Sequence, residues 1–296
     1  MNKKKRKEFT PGQIVFHIIL IIASLTYILP LILMLSISVS SESAIEMYGY
    51  SFWPKEWGFD GYKAILKNPK QILDAYKVTI IFSFTNTLLS MLVQSMCAYP
   101  LSRRNYKLRK FTTNYLFITM LFSGGLVPTY ILNSKYLHLD NTIWIYIIPG
   151  LIGAWTVFIM RTFFQGLPDG LVEAAKIDGA SEFRVFIQIL MPLCTPMLAS
   201  LGFMHLIGKW NDWNTALIYI RDTELYSLQY LLQKILREAD FVNKMAQEGA
   251  DTMGMKTPTE TMRYAMAVVA AGPMMIVFPF FQKYFAAGLT IGSVKG

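Results

Sequence analysis

Charged residues are scarce in this chain of 296 residues: they make up 16% of it, against about 25% in an ordinary soluble domain. The hydrophobic residues, 53% of the total, fall in long blocks instead of alternating with polar ones, and the mean hydropathy is +0.37. Blocks of about 20 mostly apolar residues match the hydrocarbon core of a bilayer, which is about 30 Å thick. The sequence therefore predicts an integral membrane protein.

Cysteine and histidine are also rare, with two and three residues. Cys97 and Cys194 lie in or beside apolar blocks and have no CxxC spacing, which predicts two buried free thiols. The three histidines are scattered along the chain. No set of histidine, cysteine and carboxylate ligands forms around them, so we expect no metal site.

The net charge of +9 includes two short basic runs, which hold ten of the 28 lysines and arginines. One run is Lys3-Lys4-Lys5-Arg6-Lys7 and the other covers residues 103–110. A basic chain can bind nucleic acid, but both runs lie beside apolar blocks, where short basic loops mark the cytoplasmic side of a membrane protein. The pattern therefore favours a membrane protein over a nucleic-acid binder.

Six apolar blocks predict an all-α, polytopic membrane protein with six transmembrane helices. They cover residues 14–35, 78–98, 112–132, 142–164, 193–217 and 262–285. The first block is longer than the apolar core of a signal peptide, so we expect it to be retained as a span. The predicted organisation is a basic cytoplasmic N-terminus at 1–13, a six-span domain at 14–285 and a cytoplasmic tail at 286–296.

The basic runs also predict the orientation of the spans. With both termini in the cytoplasm, the loops 99–111 and 165–192 lie inside, and the loops 36–77, 133–141 and 218–261 lie outside. The 99–111 loop carries five basic residues, whereas the 133–141 loop carries only Lys135. Short loops rich in lysine and arginine stay in the cytoplasm, so the arrangement is consistent.

Few charged residues fall in the predicted spans, and those that do, Arg161, Lys209 and Asp212 among them, lie near span ends. A charge at mid-bilayer costs about 2.5–3.5 kcal/mol on insertion scales, so transporters coupled to ion gradients keep such residues for function. Their scarcity argues against proton or sodium coupling. Lys209 and Asp212 are three positions apart, so on a helix they can either neutralise each other or contact a substrate.

The loop 165–192 carries the most specific pattern of the chain. Asp169 is a plausible N-cap for a helix over about 170–178, and Gly179 suits the left-handed residue that ends it. Ser181 then caps a second helix that runs to Pro192, where the next span begins. We expect Ala174 and Ala175 to leave one side of the first helix bare, so that it either docks into another protein through Glu173 or lies on the membrane as an amphipathic helix.

This loop resembles the "EAA" loop of importer-type ATP-binding-cassette permeases. The pattern is Glu-Ala-Ala, three residues, Gly, nine residues, Ile, one residue and Leu-Pro. The chain has Glu173-Ala174-Ala175, Gly179, Ile189 and Met191-Pro192, and departs only by Met191. Segments 53–62, 99–103, 123–130, 210–213 and 288–296 are similar to carbohydrate permeases of the maltose-type class, above all to those importing polysaccharide fragments such as alginate or pectin oligosaccharides.

The resemblance implies a type I importer permease that moves a sugar, an oligosaccharide in particular, into a bacterial cytoplasm by alternating access. It implies a second permease subunit, two ATP-binding subunits, an extracellular solute-binding protein and a surrounding lipid bilayer. The chain would bind no cofactor, since it lacks a GxxxxGK(S/T) phosphate loop, and ATP with Mg²⁺ would lie on the ATPase subunits. The implied ATPase contacts are Glu173, Ala174, Ala175, Asp178, Gly179 and Pro192 in the loop, with Val294, Lys295 and Gly296 in the tail.

A cluster of aromatic and polar residues, Trp210, Asn211, Asp212 and Trp213, lies at the outer part of the fifth predicted span. Aromatic rings stack on the apolar faces of sugars while polar groups contact the hydroxyls, so the cluster is a candidate substrate path. Aromatic side chains also anchor spans at the membrane surface. Both interpretations fit the sequence.

Three other functions are compatible with a membrane chain of this kind. An ion-coupled secondary sugar transporter would need inverted repeats or a broken helix at mid-membrane. A membrane enzyme such as a glycosyl transferase would need acidic residues near the interface, but the clustered acids here belong to the EAA-like loop. A channel would need a ring-forming selectivity motif, which the sequence does not show.

Overall fold

The computed structural model describes residues 11–248 and 260–291, so the predicted tail contacts at 294–296 lie outside the described residues. Within those ranges the chain is helical and forms no β-strand. The α-helices are α1 (Pro11–Ser38), α2 (Glu42–Tyr48), α3 (Asp60–Ile65), α4 (Pro69–Ser102), α5 (Arg109–Leu121), α6 (Leu126–Ile131), α7 (Trp144–Ile147), α8 (Ala154–Gln165), α9 (Asp169–Ile177), α10 (Glu182–Val185), α11 (Met191–Leu193), α12 (Thr195–Trp210), α13 (Asn214–Tyr219), α14 (Leu228–Gln247) and α15 (Glu260–Ile291). Residues 132–136 and 186–190 form π-helical turns.

In the described part of the chain, α1, α4 and α15 are each long and apolar enough to cross a bilayer. Two more spans result if each bent pair of helices counts as one. The first pair is α5 with residues 126–136, bent by 113°, and the second is residues 182–193 with α12, bent by 79°. Residues 11–248 and 260–291 thus contain three to five candidate spans, where the sequence predicts six.

The fourth predicted block, 142–164, does not form a single helix either. It is divided between α7 and α8, and residues 148–153 between them leave the helical conformation. Pro149 lacks a backbone donor, and Gly150 has φ of +82°, a left-handed conformation that glycine adopts without strain. The break frees backbone carbonyls that other side chains have to satisfy.

The predicted single domain at 14–285 divides into two compact units. The described residues of the first are 11–68, 234–248 and 260–271. Here the Glu42 carboxylate accepts from the backbone N–H groups of Glu260 (3.0 Å) and Thr261 (2.9 Å). It therefore caps the N-terminus of α15. Gly61 passes so close to the same turn that an added Cβ would lie 2.5 Å from the Thr261 carbonyl oxygen.

The second unit contains residues 69–233 and the part of α15 from residue 272. Its central helix is α4, which packs against α7, α8 and α12. A hydrophobic cluster lies where α4, α8, α9, α10 and α12 meet. Its most buried members are Ala98, Leu101, Val157, Met160, Phe164, Val185 and Leu190. The candidate functional loop, residues 165–192, packs on this cluster.

Candidate functional site

The loop 165–192 folds as a helix, a sharp bend and a second helix, as the sequence predicts. Helix α9 begins at Asp169, so Pro168 occupies the cap position and the prediction of Asp169 as N-cap is wrong by one residue. Gly179 has φ of +81°, which confirms the predicted left-handed end of the helix. The Ser181 hydroxyl accepts from the Arg184 N–H at 3.3 Å, which confirms the second cap.

Helix α9 is held to the hydrophobic cluster by one side. Val172 and Ala175 are buried, three positions apart on the same face of the helix. The Ala180 N–H donates to the Ala175 carbonyl at 2.9 Å, which closes the end of the helix. Ala174 is exposed whereas Ala175 is 8% exposed, so the expectation that both alanines leave one side bare is wrong for Ala175.

The opposite side of α9 faces solvent and combines charge with apolar surface. Glu173, Ala174, Asp178 and Gly179 are exposed, and Ile177 is 87% exposed. Neither composition nor the EAA-like pattern singles out Ile177. Its exposure follows from the rotation of the helix, because the buried positions 172 and 175 turn residue 177 outwards. Glu173, Ala174 and Ile177 are called the coupling face below.

A polar chain connects α9 and α10 to the end of α4. The Lys176 ammonium lies 2.5 Å from the Glu182 carboxylate, and the Tyr99 hydroxyl donates to the same carboxylate at 2.5 Å. Above them, the Arg103 guanidinium lies 5.0 Å from the centre of the Tyr99 ring. Charge-assisted hydrogen bonds are about twice as strong as neutral ones, and these contacts join α9 and α10 to the end of α4.

The second half of the loop does not enter the next span at Pro192. The chain continues through the π-helical turn 186–190 and α11, which contains Pro192, and its axis turns only at Cys194 before α12 begins. Pro192 itself is exposed. Cys194 is buried and Cys97 is half-buried, and both are free thiols.

The four residues of the predicted substrate cluster differ in their exposure to solvent. Trp210 is 1% exposed and packs against Tyr76, so it belongs to the interior of the unit. Asp212 accepts from the Thr215 N–H (3.0 Å) and hydroxyl (2.8 Å), which secures the start of α13. Asn211 is exposed, and Asp212 and Trp213 are half-buried. Among the four, only Trp210 presents no surface to a ligand.

Lys209 and Asp212 form no direct ion pair, although their opposite charges attract as the sequence suggested. The Lys209 ammonium donates to the Tyr146 carbonyl at 3.3 Å, at the break between α7 and α8. Asn86, which is fully buried, donates to the carbonyls of Tyr146 (3.3 Å) and Ile147 (2.6 Å). Lys209 and Asn86 thus satisfy the carbonyls that the break releases.

A polar stripe on α4 was missed at the sequence level. Its buried members are Thr79, Ser83, Asn86, Ser90 and Gln94. They recur every three or four residues and so occupy one face of the helix. The Gln94 amide donates to the Leu151 carbonyl at 3.0 Å, and His205 Nε2 lies 2.7 Å from the Asn86 side-chain oxygen. The spacing was visible in the sequence, although its partners were not.

A family profile described as "Binding-protein-dependent transport system inner membrane component" matches residues 95–291. "Protein LplC" of Bacillus subtilis (strain 168) is 37% identical over 91% of this chain and 90% of its own length. The "Polygalacturonan/rhamnogalacturonan transport system permease protein YtcP" of the same organism is 34% identical over 94% of this chain and 96% of its own. A crystal structure of a bacterial ABC transporter involved in import of the acidic polysaccharide alginate is similar with a TM-score of 0.79 and 26% identity, covering 95% of this chain and all of that chain.

The described residues hold no group of three or more histidines, cysteines and carboxylates that could bind a metal ion. The candidate site comprises the exposed coupling face of α9 and the polar chain beneath it. Through these contacts a displacement of α9 can reach the end of α4.

Proposed function

Because the chain belongs to the family of inner membrane components of binding-protein-dependent transport systems, we propose that it moves an oligosaccharide across the membrane. The chain is a permease subunit and not itself an enzyme, and the family works with ATPase and substrate-binding components. The cargo proposal is supported by a relative whose name specifies polygalacturonan and rhamnogalacturonan transport and by a structural neighbour involved in the import of alginate.

The coupling face is the proposed contact with an ATPase subunit. The observation that carries this proposal is an exposed isoleucine, Ile177, beside the charge of Glu173. Both lie on a helix whose opposite side packs against the hydrophobic cluster. An apolar side chain 87% exposed at the aqueous end of a membrane protein gains free energy when a partner covers it. Ala174 between them has no side chain beyond Cβ, so a partner groove can approach the helix closely.

The polar chain then explains how docking could move the spans. Closure of the ATPase pair pushes α9, and Glu182 passes the displacement to Tyr99 at the end of α4. Helix α4 packs against α7, α8 and α12, so it carries the displacement into the unit. The bends at 122–125 and at Cys194 are the places where the spans can change direction with the least loss of hydrogen bonds.

The remaining parts of the proposal concern the assembly. ATP and Mg²⁺ are bound on two partner ATPase subunits, a second permease subunit completes the pathway, and an extracellular binding protein delivers the cargo. Both termini and the loops 99–111 and 165–192 lie in the cytoplasm of a bacterial cell. Asn211 and Trp213 contact the sugar at the outer mouth, and the tail residues 294–296 contact the ATPases.

Reconstitution tests the proposal directly. The chain would be placed in vesicles with its partner permease, ATPases and binding protein, and uptake of oligogalacturonides, alginate oligosaccharides and a neutral oligosaccharide would be measured. We expect uptake that requires ATP and survives ionophores that dissipate proton and sodium gradients. Uptake without ATP, driven by an imposed gradient, would favour the ion-coupled alternative. ATPase stimulation by a non-carbohydrate cargo alone would contradict the cargo proposal.

A further inference from the structure

A cavity of about 1010 Å³ opens between the end of α4, the loop that follows it, and helices α9 and α10. Its charged lining residues are Arg103, Arg104, Arg109, Lys176, Glu173 and Glu182. Four positive side chains therefore face two negative ones. The cavity lies entirely within the second compact unit.

The negative charge in this cavity is partly neutralised already. Glu182 is engaged by Lys176 and by the Tyr99 hydroxyl, and the Arg103 guanidinium, which lies over the Tyr99 ring, also acts on its charge. Arg104 and Arg109 line the cavity together with Glu173. The four cations of the lining still exceed its two carboxylates, which creates a field that favours an anion, and guanidinium forks match phosphate oxygens in geometry.

An apolar track leads from the cavity along α4. Leu88, Leu92 and Met96 are 70%, 45% and 47% exposed and recur every four residues, so they occupy one side of the helix. At 1.5 Å per residue, the track is about 12 Å long. Met96 also lines the cavity, together with Phe183 and Phe186. The basic cavity and the apolar track are therefore continuous.

We propose that this cavity binds the phosphate headgroup of an anionic inner-leaflet phospholipid, with one acyl chain lying along Leu88, Leu92 and Met96. The cavity is at the end of α4, where a bilayer places its headgroups, and basic pockets between membrane helices bind such headgroups. An acidic segment of a soluble partner would satisfy the arginines but could not reach Leu88, which lies 14 residues from the end of α4. The track therefore favours a lipid.

The test compares two double variants of the same loop in the assembled transporter. Arg104→Gln with Arg109→Gln removes two charges from the cavity, and Lys107→Gln with Lys110→Gln removes two charges that do not line it. Complexes extracted from phosphatidylcholine bilayers containing phosphatidylglycerol are analysed by native mass spectrometry. We expect the cavity variant to retain about tenfold less phosphatidylglycerol per transporter than the parent, and the lysine variant to retain as much as the parent.

Each other outcome overturns the proposal. Equal losses in both variants would indicate diffuse attraction to the basic loop, and no loss in either would indicate that the cavity binds no lipid. Unchanged lipid retention with weaker ATPase association would identify the cavity as a protein contact. The parent gives an independent measurement that needs no variant: in equimolar phosphatidylglycerol and phosphatidylcholine it should retain mainly phosphatidylglycerol, and equal retention would contradict the inference.

Discussion

At the scale of single residues, Gly179 decides how α9 ends. Its φ is +81°, and no heavy atom lies within 4 Å of a Cβ built there, so alanine would meet backbone strain and no steric clash. A left-handed conformation costs an alanine about 1–2 kcal/mol. We expect Gly179→Ala to displace the coupling face and to lower substrate-stimulated ATPase activity severalfold at unchanged membrane abundance.

Gly170 supplies the matched control for that variant. It lies in the first turn of α9, also has open space around an added Cβ, and has an ordinary helical backbone. Alanine stabilises a helix by about 0.5–1 kcal/mol relative to glycine, so Gly170→Ala should keep full activity. Equal losses in both variants would mean that α9 is sensitive to any added methyl group, and that the turn at Gly179 has no special role.

Ile177 tests the coupling face itself. Because its side chain is 87% exposed, Ile177→Ser removes no internal packing and should leave the thermal stability of the permease unchanged. Burying an isoleucine in a partner contributes about 1.5–3 kcal/mol, so we expect the ATPase to copurify at least tenfold less. Tyr136→Ser is the control, since Tyr136 is 75% exposed in a loop predicted to lie outside. Undiminished ATPase recovery with Ile177→Ser would refute the assignment.

Trp213 tests the substrate path. Trp213→Ala removes a half-buried ring next to the exposed Asn211, and it should slow oligosaccharide uptake while sparing basal ATP hydrolysis, because the coupling face is untouched. Trp213→Phe keeps an aromatic face for stacking on the sugar and should restore most of the uptake. If alanine and phenylalanine support equal uptake at matched abundance, Trp213 serves packing alone.

The residues that were predicted correctly are those whose role is local. The roles of Gly179 and Ser181 can be predicted from the sequence. A left-handed residue that ends a helix and a hydroxyl N-cap both depend on a few neighbouring backbone atoms. The burial of Ala175 and the exposure of Ile177 depend on which side of α9 meets the hydrophobic cluster. That choice is made by distant residues, such as Val157 and Phe164, and no local pattern contains it.

At the scale of elements, the break between α7 and α8 is stabilised from α4. Asn86 donates to two carbonyls of α7, and a buried carbonyl without a donor costs about 1–3 kcal/mol. We expect Asn86→Leu to lower the thermal unfolding midpoint of the purified permease by several degrees. Ser95→Ala is the control, because the Ser95 hydroxyl donates only to the Leu92 carbonyl of its own helix. A midpoint shift no larger than that of Ser95→Ala would contradict the proposed support.

The same break shows why hydropathy alone overestimated the continuity of the spans. Residues 142–164 are apolar enough to suggest one helix, yet Pro149 and Gly150 interrupt it. The interruption is tolerated only because Asn86, Gln94 and Lys209 supply donors. The spacing of Asn86 and Gln94 in the sequence indicates a shared polar face of α4, but which carbonyls they meet follows from helix packing, as does the approach of Lys209 from α12.

At the scale of the whole molecule, the orientation of the spans and the position of the coupling face have to agree. The five basic residues of the 99–111 loop favour the cytoplasm. The end of α4 that carries this loop is also the end that Tyr99 ties to Glu182. The loop 99–111 and α9 therefore lie on the same side of the membrane, and the proposed cytoplasmic position of this loop would place the coupling face where ATP is available.

Site-directed labelling tests this orientation. Single cysteines would replace Lys107 and Lys135, both exposed, in a chain whose own cysteines are changed to alanine, a small residue suited to their apolar surroundings. A membrane-impermeant maleimide added to intact cells should label position 135 and spare position 107. Inverted vesicles should reverse the pattern, which controls for the intrinsic reactivity of each thiol. Labelling of position 107 in intact cells would place α9 outside, away from ATP, and would contradict both the predicted topology and the proposed contact with the ATPase subunits.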